Sequence, residues 1–146
     1  MVSWADRIDR YLLGGMRHWS VPVLRVALGI VFLWFGALKV FGVSPVADLV
    51  AETYHFFPQP AFLLILGFWE VVIGVLLIGR VTLRFALILL WLQMLGTLLA
   101  PAFAPRIFFL DGNPLLLTTE GEFVVKNFVL IAASLVIGGH ELKPRR

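Results

Sequence analysis

The stretch Gly67-Phe68-Trp69-Glu70-Val71-Val72-Ile73-Gly74 places one carboxylate in the middle of an apolar run from Pro60 to Ile78. A run of this length can cross a bilayer, whose hydrocarbon core is spanned by a helix of about 20 apolar residues. A lone ionised carboxylate at that depth is strongly unfavourable, so Glu70 must be protonated, paired or facing water. The other apolar runs therefore matter as suppliers of a partner for Glu70.

The composition of the whole chain is that of a membrane protein. Of its 146 residues, 60% are hydrophobic and 14% are charged, whereas a soluble domain is roughly 45–50% apolar and about 25% charged. We predict an all-α fold, a four-transmembrane-helix bundle that forms a single integral membrane domain over residues 1–146. The predicted spans cover residues 22–41, 60–78, 83–103 and 120–137.

Two amphipathic segments are predicted outside these spans. In residues 1–19, aromatic and aliphatic side chains recur at helical spacing opposite charged ones, which indicates an N-terminal helix lying in the headgroup region. Gly14-Gly15 interrupts this pattern, and Ser20 is placed to cap the first span. Residues 44–59 indicate a short extracytoplasmic helix between spans 1 and 2, followed by an aromatic cluster typical of a membrane interface.

The positions of Lys and Arg predict the orientation. Nine of the twelve lie in residues 1–25, in the turn at 80–84 or in the tail after residue 140. The other three are Lys39, Arg106 and Lys126. Because cytoplasmic segments carry the excess of basic residues, we expect both termini in the cytoplasm of a multi-pass protein of a bacterial inner (plasma) membrane. Basic residues at span ends are topology signals, so we expect no nucleic-acid partner.

The sequence lacks the residue types that several kinds of chemical site require. The chain has no cysteine, and its three histidines, His18, His55 and His140, all fall outside the predicted spans. We therefore expect no metal and no haem. No nucleophile–base pair or phosphate-binding loop is present, so no catalytic residue is assigned and an autonomous enzyme is not expected.

The partner of Glu70 can be sought by comparing depths along the helices. At a rise of about 1.5 Å per residue, Glu70 lies roughly 15 Å deep, Lys126 roughly 9 Å and Lys39 roughly 5 Å. Lys126 is therefore the preferred partner, with Asn127 and Gln93 as neutral donors. Lys39 is expected to line the outer mouth of the bundle.

Small and polar residues indicate how the helices pack. Thr97 lies one turn beyond Gln93 and suits an interhelical hydrogen bond. Five glycines within the spans allow close helix approach. They are Gly29, Gly36, Gly67, Gly74 and Gly96.

Two physical states of Glu70 are left open by the sequence. The side chain is either ionised and paired with Lys126, or a neutral acid that donates a hydrogen bond. The pair either fixes the helix register only or lines an internal polar pocket that binds a small polar molecule or a quinone head group.

The ordered motifs resemble a known family. The first is Arg25-x-x-Leu28-Gly29-x-Val31-Phe32-x-Trp34-Phe35-Gly36-x-Leu38-Lys39. The second is Gly67-x-x-Glu70-x-x-x-Gly74, followed by Gln93-Met94-x-Gly96-Thr97 and Glu120-Gly121-x-x-x-x-Lys126-Asn127. This set is similar to DoxX-like integral membrane proteins, a wider group that includes the inner-membrane proteins linked with reactive-chlorine resistance. The match covers most of residues 22–139.

The resemblance implies a four-helix membrane protein that is sometimes associated with redox partners, and it transfers no catalytic residues. The leading hypothesis is a membrane subunit or accessory factor of a redox or stress-response system, with a quinone as candidate cofactor and a membrane oxidoreductase as candidate partner. The alternatives are a small-solute transporter or channel acting as a homo-oligomer, and a purely structural membrane scaffold.

Overall fold

The computed structural model describes residues 4–144, and this part of the chain is all-helical. Its α-helices, in chain order, are α1 (Trp4–Val40), α2 (Ala47–Thr53), α3 (Ala61–Gly79), α4 (Leu83–Phe103), α5 (Pro105–Phe108) and α6 (Thr119–Glu141), and one turn of 3-10 helix (Leu110–Gly112) follows α5. Helices α1, α3, α4 and α6 are each long and apolar enough to cross a membrane. The prediction of four long apolar helices is therefore confirmed.

Helix α1 is longer than the first predicted span. It continues without a break through Gly14-Gly15 and Ser20, and Pro22 lies inside it, so the predicted interruption and cap are wrong. Each glycine in a helix interior lowers helix stability by only about 1 kcal/mol relative to alanine. The remaining turns of the helix can offset this cost. Every described side chain in residues 4–20 is exposed, so this first part of α1 lies outside the bundle although the backbone does not separate it.

Helix α6 also differs from the prediction at both ends. The helix begins at Thr119, one residue before the predicted span, and Thr118 is its N-cap, whose hydroxyl accepts a hydrogen bond from the Gly121 amide at 3.1 Å. The helix then runs past Gly138-Gly139, where it was expected to end, and reaches Glu141. This extra turn brings the Glu141 carboxylate to Arg25 of α1.

The apolar core lies between the four long helices. Its fully buried aliphatic side chains are Ile73, Leu77, Leu87, Leu90 and Ile137. A smaller cluster around Phe108 lies under the connection between α4 and α6. The remaining faces of the long helices carry exposed apolar side chains, as expected for surfaces in contact with lipid.

The short connection between α1 and α3 is fixed to α4 by Tyr54. Its hydroxyl donates to the Gly96 carbonyl oxygen at 2.7 Å, and its ring packs against Phe62 and Phe103. Burial raises the pKa of the Tyr54 phenol above its usual value, so the hydroxyl keeps its proton at neutral pH.

We expect Tyr54→Phe to lower the free energy of unfolding by about 1 kcal/mol, the usual net contribution of one hydrogen bond. Unfolding by SDS titration of the purified protein, followed by circular dichroism, measures this change. Tyr11→Phe is the matched control, because Tyr11 is 84% exposed. Equal stability of the two variants would show that the bond to Gly96 contributes nothing.

Candidate functional site

Helices α1 and α3 form the closest-packed pair and establish the geometry of the site. A Cβ atom built on Gly36 would lie 2.6 Å from the Gly67 carbonyl oxygen, and one on Gly74 would lie 2.7 Å from the Gly29 carbonyl oxygen. In each helix the two glycines are seven residues apart. The helices therefore run antiparallel and touch backbone to backbone at two points about 10 Å apart.

Beside the Gly36–Gly67 contact lies a cluster of three polar side chains, of which Lys39 and Glu70 are buried and Gln93 is half-buried. The Lys39 ammonium nitrogen Nζ donates to Glu70 Oε2 at 2.6 Å, and Gln93 Nε2 donates to Glu70 Oε1 at 2.8 Å. Lys39 and Glu70 are each 8% exposed. We name Lys39, Glu70 and Gln93 the Glu70 cluster. It joins α1, α3 and α4, and both carboxylate oxygens have a partner.

The predicted partner of Glu70, Lys126, is not the one found in the structure. The Lys126 side chain is 67% exposed, and its nearest carboxylate is that of Glu122 at 3.8 Å on the same helix. Lys39, which was expected only to line the outer mouth of the bundle, forms the ion pair instead.

Two physical effects explain this correction. The first is an axial offset, because the Val40 amide at the end of α1 lies level with Gly67, so the first turns of α3 extend beyond α1. The depth of a residue in the membrane, estimated by counting residues from the end of its own helix, therefore cannot be compared directly between α1 and α3. The second is side-chain direction, because a Cα–Cβ bond tilts toward the N-terminus of its helix. In antiparallel helices this tilt turns Lys39 and Glu70 toward each other.

The same tilt turns Lys126 away from the cluster. The C-terminal ends of α3 and α6 both lie beside Arg25 of α1, so α6 runs in the same direction as α3. Lys126 therefore points toward the start of α6, where Glu122 lies.

The other predicted site residues lie outside the Glu70 cluster. The hydroxyl of Thr97 donates to the Gln93 carbonyl oxygen of its own helix at 3.1 Å, not across a helix interface. Asn127 is half-buried on α6, and the structure gives its side chain no hydrogen bond. No atom lies within 4 Å of a Cβ built on Gly96, so this glycine is not at a close helix contact.

Arg25 is a second buried charge, and the sequence pattern identified it as a topology signal and as part of the first family motif but assigned it no contact within the bundle. Its guanidinium donates to the carbonyl oxygens of Leu77 and Ile78 in the last turn of α3, and it lies 3.0 Å from a Glu141 oxygen. The carbonyl oxygens at a helix C-terminus carry a partial negative charge and therefore attract cations. Arg25 lies on the same stripe of α1 as Gly29 and Gly36, and this spacing was the signal for its contact with α3.

We expect Arg25→Gln to lower the free energy of unfolding by about 2 kcal/mol, as for loss of a charge-assisted hydrogen bond. Within residues 4–144, the change leaves Glu141 with Arg80 as its cationic partner, whose guanidinium is 3.8 Å away on a largely exposed side chain. Arg17→Gln on the exposed part of α1 is the control. If SDS titration finds the two variants equally stable, Arg25 does not hold α1, α3 and α6 together.

Among residues 4–144, no three His, Asp or Glu side chains come together in a way that could hold a metal ion. The Lys39 ammonium retains N–H donors beyond the one bound to Glu70, and the Gln93 amide oxygen is an acceptor. The Glu70 cluster is thus suited to hydrogen-bonding a small polar group.

Comparison of the chain with protein-family models, with curated proteins and with solved structures found no match in any of the three. The geometry of the Glu70 cluster is therefore the basis for what this chain can do chemically.

Proposed function

We propose that this chain is a DoxX-like protein of the bacterial inner membrane that serves as a membrane subunit or accessory factor of a redox or stress-response system. In this proposal the Glu70 cluster is the working site. It hydrogen-bonds a small polar group presented from the membrane, such as a quinone carbonyl oxygen.

The single observation that supports this proposal is a charged pair enclosed by apolar helices. Burying two ions is costly even when they are paired, and well-packed apolar residues often give equal or greater stability. Ionisable residues within transmembrane segments are therefore functional candidates by default. The unused donors of Lys39 supply the polar contacts that a carbonyl ligand needs.

The proposal also includes the orientation, with both termini in the cytoplasm. The exposed residues 4–20 then form an N-terminal amphipathic segment at the cytoplasmic membrane surface, and α2 lies on the extracytoplasmic side. The uneven distribution of Lys and Arg supports this arrangement. The many exposed aromatic and aliphatic side chains of residues 4–20 also support it.

Single-cysteine labelling tests the orientation, since the native chain has no cysteine to interfere. We expect Asn113→Cys, in the exposed loop before α6, to react with a membrane-impermeant maleimide in intact spheroplasts. Lys143→Cys, in the tail, should react only after the membrane is permeabilised. The reverse pattern would invert the proposed topology.

Co-purification from native membranes tests the redox association. Tagged wild-type protein, Glu70→Gln and Lys126→Gln are extracted in mild detergent, and the bound proteins and quinones are identified by mass spectrometry. We expect wild type and Lys126→Gln to recover an oxidoreductase or a quinone. Glu70→Gln, whose side-chain amide oxygen can still accept a hydrogen bond from Lys39, should remain folded in mild detergent and lose this partner. The Lys126 variant is the control because its side chain is exposed and outside the cluster.

Other outcomes of this experiment count against specific parts of the proposal. Recovery of neither an oxidoreductase nor a quinone by the wild type would remove the redox role. Equal recovery by Glu70→Gln would mean that the Glu70 cluster only fixes the helix register. The alternative of an oligomeric small-solute transporter predicts solute flux in proteoliposomes that contain this chain alone.

A further inference from the structure

A surface depression lies where the end of α2 meets the turn between α4 and α5. It has a volume of about 330 Å³ and is lined by Glu52, His55, Phe103 and residues 104–107. This volume is at the lower end of the range of about 300–1,000 Å³ that is usual for small-molecule sites. None of its lining residues belongs to the Glu70 cluster.

The two sides of the depression are held together by Tyr54. Its hydroxyl bonds the Gly96 carbonyl oxygen of α4, and its ring centroid lies 6.0 Å from that of Phe103. The neighbouring Thr53 is 1% exposed. Glu52 and His55, on either side of this anchored pair, are therefore kept facing residues 104–107.

The charges that line the depression are of opposite sign and do not neutralise each other. Glu52 on one side and Arg106 on the other are both exposed, and within residues 4–144 the structure gives neither side chain an ion pair. His55 adds a ring nitrogen, Nδ1, that lies 3.4 Å from its own chain's Glu52 carbonyl oxygen. The depression thus offers a cationic and an anionic contact to a ligand that carries both charges.

The surroundings of the depression are apolar and aromatic. Phe103 in its wall is 54% exposed and lies 5.8 Å from Phe56, which is 53% exposed. Phe57 continues this surface and is 43% exposed. An exposed aromatic surface next to paired charges matches an amphiphile, whose acyl chains cover the rings while its headgroup enters the depression.

We propose that this depression binds the headgroup of a zwitterionic aminophospholipid of the phosphoethanolamine type. Arg106 donates hydrogen bonds to the phosphate, because a guanidinium can bind two phosphate oxygens in a bidentate contact. Glu52 bonds the ammonium group, and the face of Phe103 adds a cation–π contact to it. The proposal depends on the membrane placement of the chain and is independent of the redox role of the Glu70 cluster.

Native mass spectrometry of the purified full chain tests the proposal. The protein is equilibrated in mild detergent with equal amounts of phosphatidylethanolamine and phosphatidylglycerol of the same acyl chains. We expect phosphatidylethanolamine to be retained about tenfold more, as for one charge-assisted hydrogen bond. Arg106→Gln should reduce retention of both lipids, whereas Glu52→Gln should remove only the preference between them.

The matched controls are Glu122→Gln and Lys126→Gln, an exposed acid and base on α6 that lie away from the depression. Both should bind lipid as the wild type does. Absence of a preference in the wild type, or identical retention by all four variants, would overturn the proposal. Displacement of the lipid by soluble phosphoethanolamine at the same concentration would also overturn it, because the ligand would then be a free zwitterion.

Discussion

Lys39→Met is expected to lower the free energy of unfolding by about 3–5 kcal/mol, the usual cost of removing one member of a buried ion pair. The substitution keeps most of the side-chain volume but leaves the Glu70 carboxylate buried with Gln93 as its remaining partner. That side chain is within the bundle and 10% exposed, so little water can reach the carboxylate in place of the ammonium group. SDS titration at neutral pH measures the loss.

The double variant Lys39→Met with Glu70→Leu separates the cost of breaking the pair from its net contribution. Because replacing a buried pair by apolar residues is often neutral or stabilising by about 1–4 kcal/mol, we expect the double variant to be at least as stable as wild type. Lys126→Met is the control and should change the stability little, since the ion pair that Lys126 makes with Glu122 is exposed. If Lys39→Met were as mild as Lys126→Met, the structure's assignment of the Glu70 partner would be wrong.

The double variant also bears on why the pair exists. If the double variant folds as well as wild type but fails to recover the oxidoreductase or quinone in the native-membrane experiment, then stability is not what the charges provide. Such a result would support the Glu70 cluster as a working site and not as a strut.

The helices were the part of the fold that the sequence could predict well. Long apolar runs separated by Pro, Gly and charged residues have few alternatives in a chain of this composition, and residues 4–144 contain four such helices. Helix ends were harder, because they depend on tertiary partners. Glu141, beyond two glycines, stays helical where its carboxylate meets Arg25 of another helix.

The sequence predicted the central residue of the site, Glu70, but not the cation that pairs with it. Glu70 was recognisable because a lone carboxylate in an apolar run demands an explanation, and Gln93 was named among its neutral donors. The partner cation depends on the axial offset between two helices and on the direction of each side chain. Neither quantity is visible in the spacing of one span, so the choice between Lys39 and Lys126 needed the packed structure.

Gly36→Ala is expected to lower the free energy of unfolding by about 3 kcal/mol, at the upper end of the usual cost of overpacking. The added Cβ would lie 2.6 Å from both the Gly67 carbonyl oxygen and the Val71 amide nitrogen. Both are backbone atoms, so no rotamer change can relieve the overlap and the helices must move apart. Gly96→Ala is the matched control, because its Cβ meets no atom within 4 Å, and removing a helix glycine there should be neutral or stabilising by up to about 1 kcal/mol.

The same substitution tests whether backbone contact positions the Glu70 cluster. Glu70 Cβ lies 2.9 Å from a Cβ built on Gly36, so separating the helices there lengthens the 2.6 Å contact between Lys39 and Glu70. The coupling energy from a double-mutant cycle at Lys39 and Glu70 should therefore shrink in a Gly36→Ala background and stay unchanged in a Gly96→Ala background. Equal coupling in both backgrounds would show that the two side chains find each other without the glycine contact. The glycines would then govern helix packing alone.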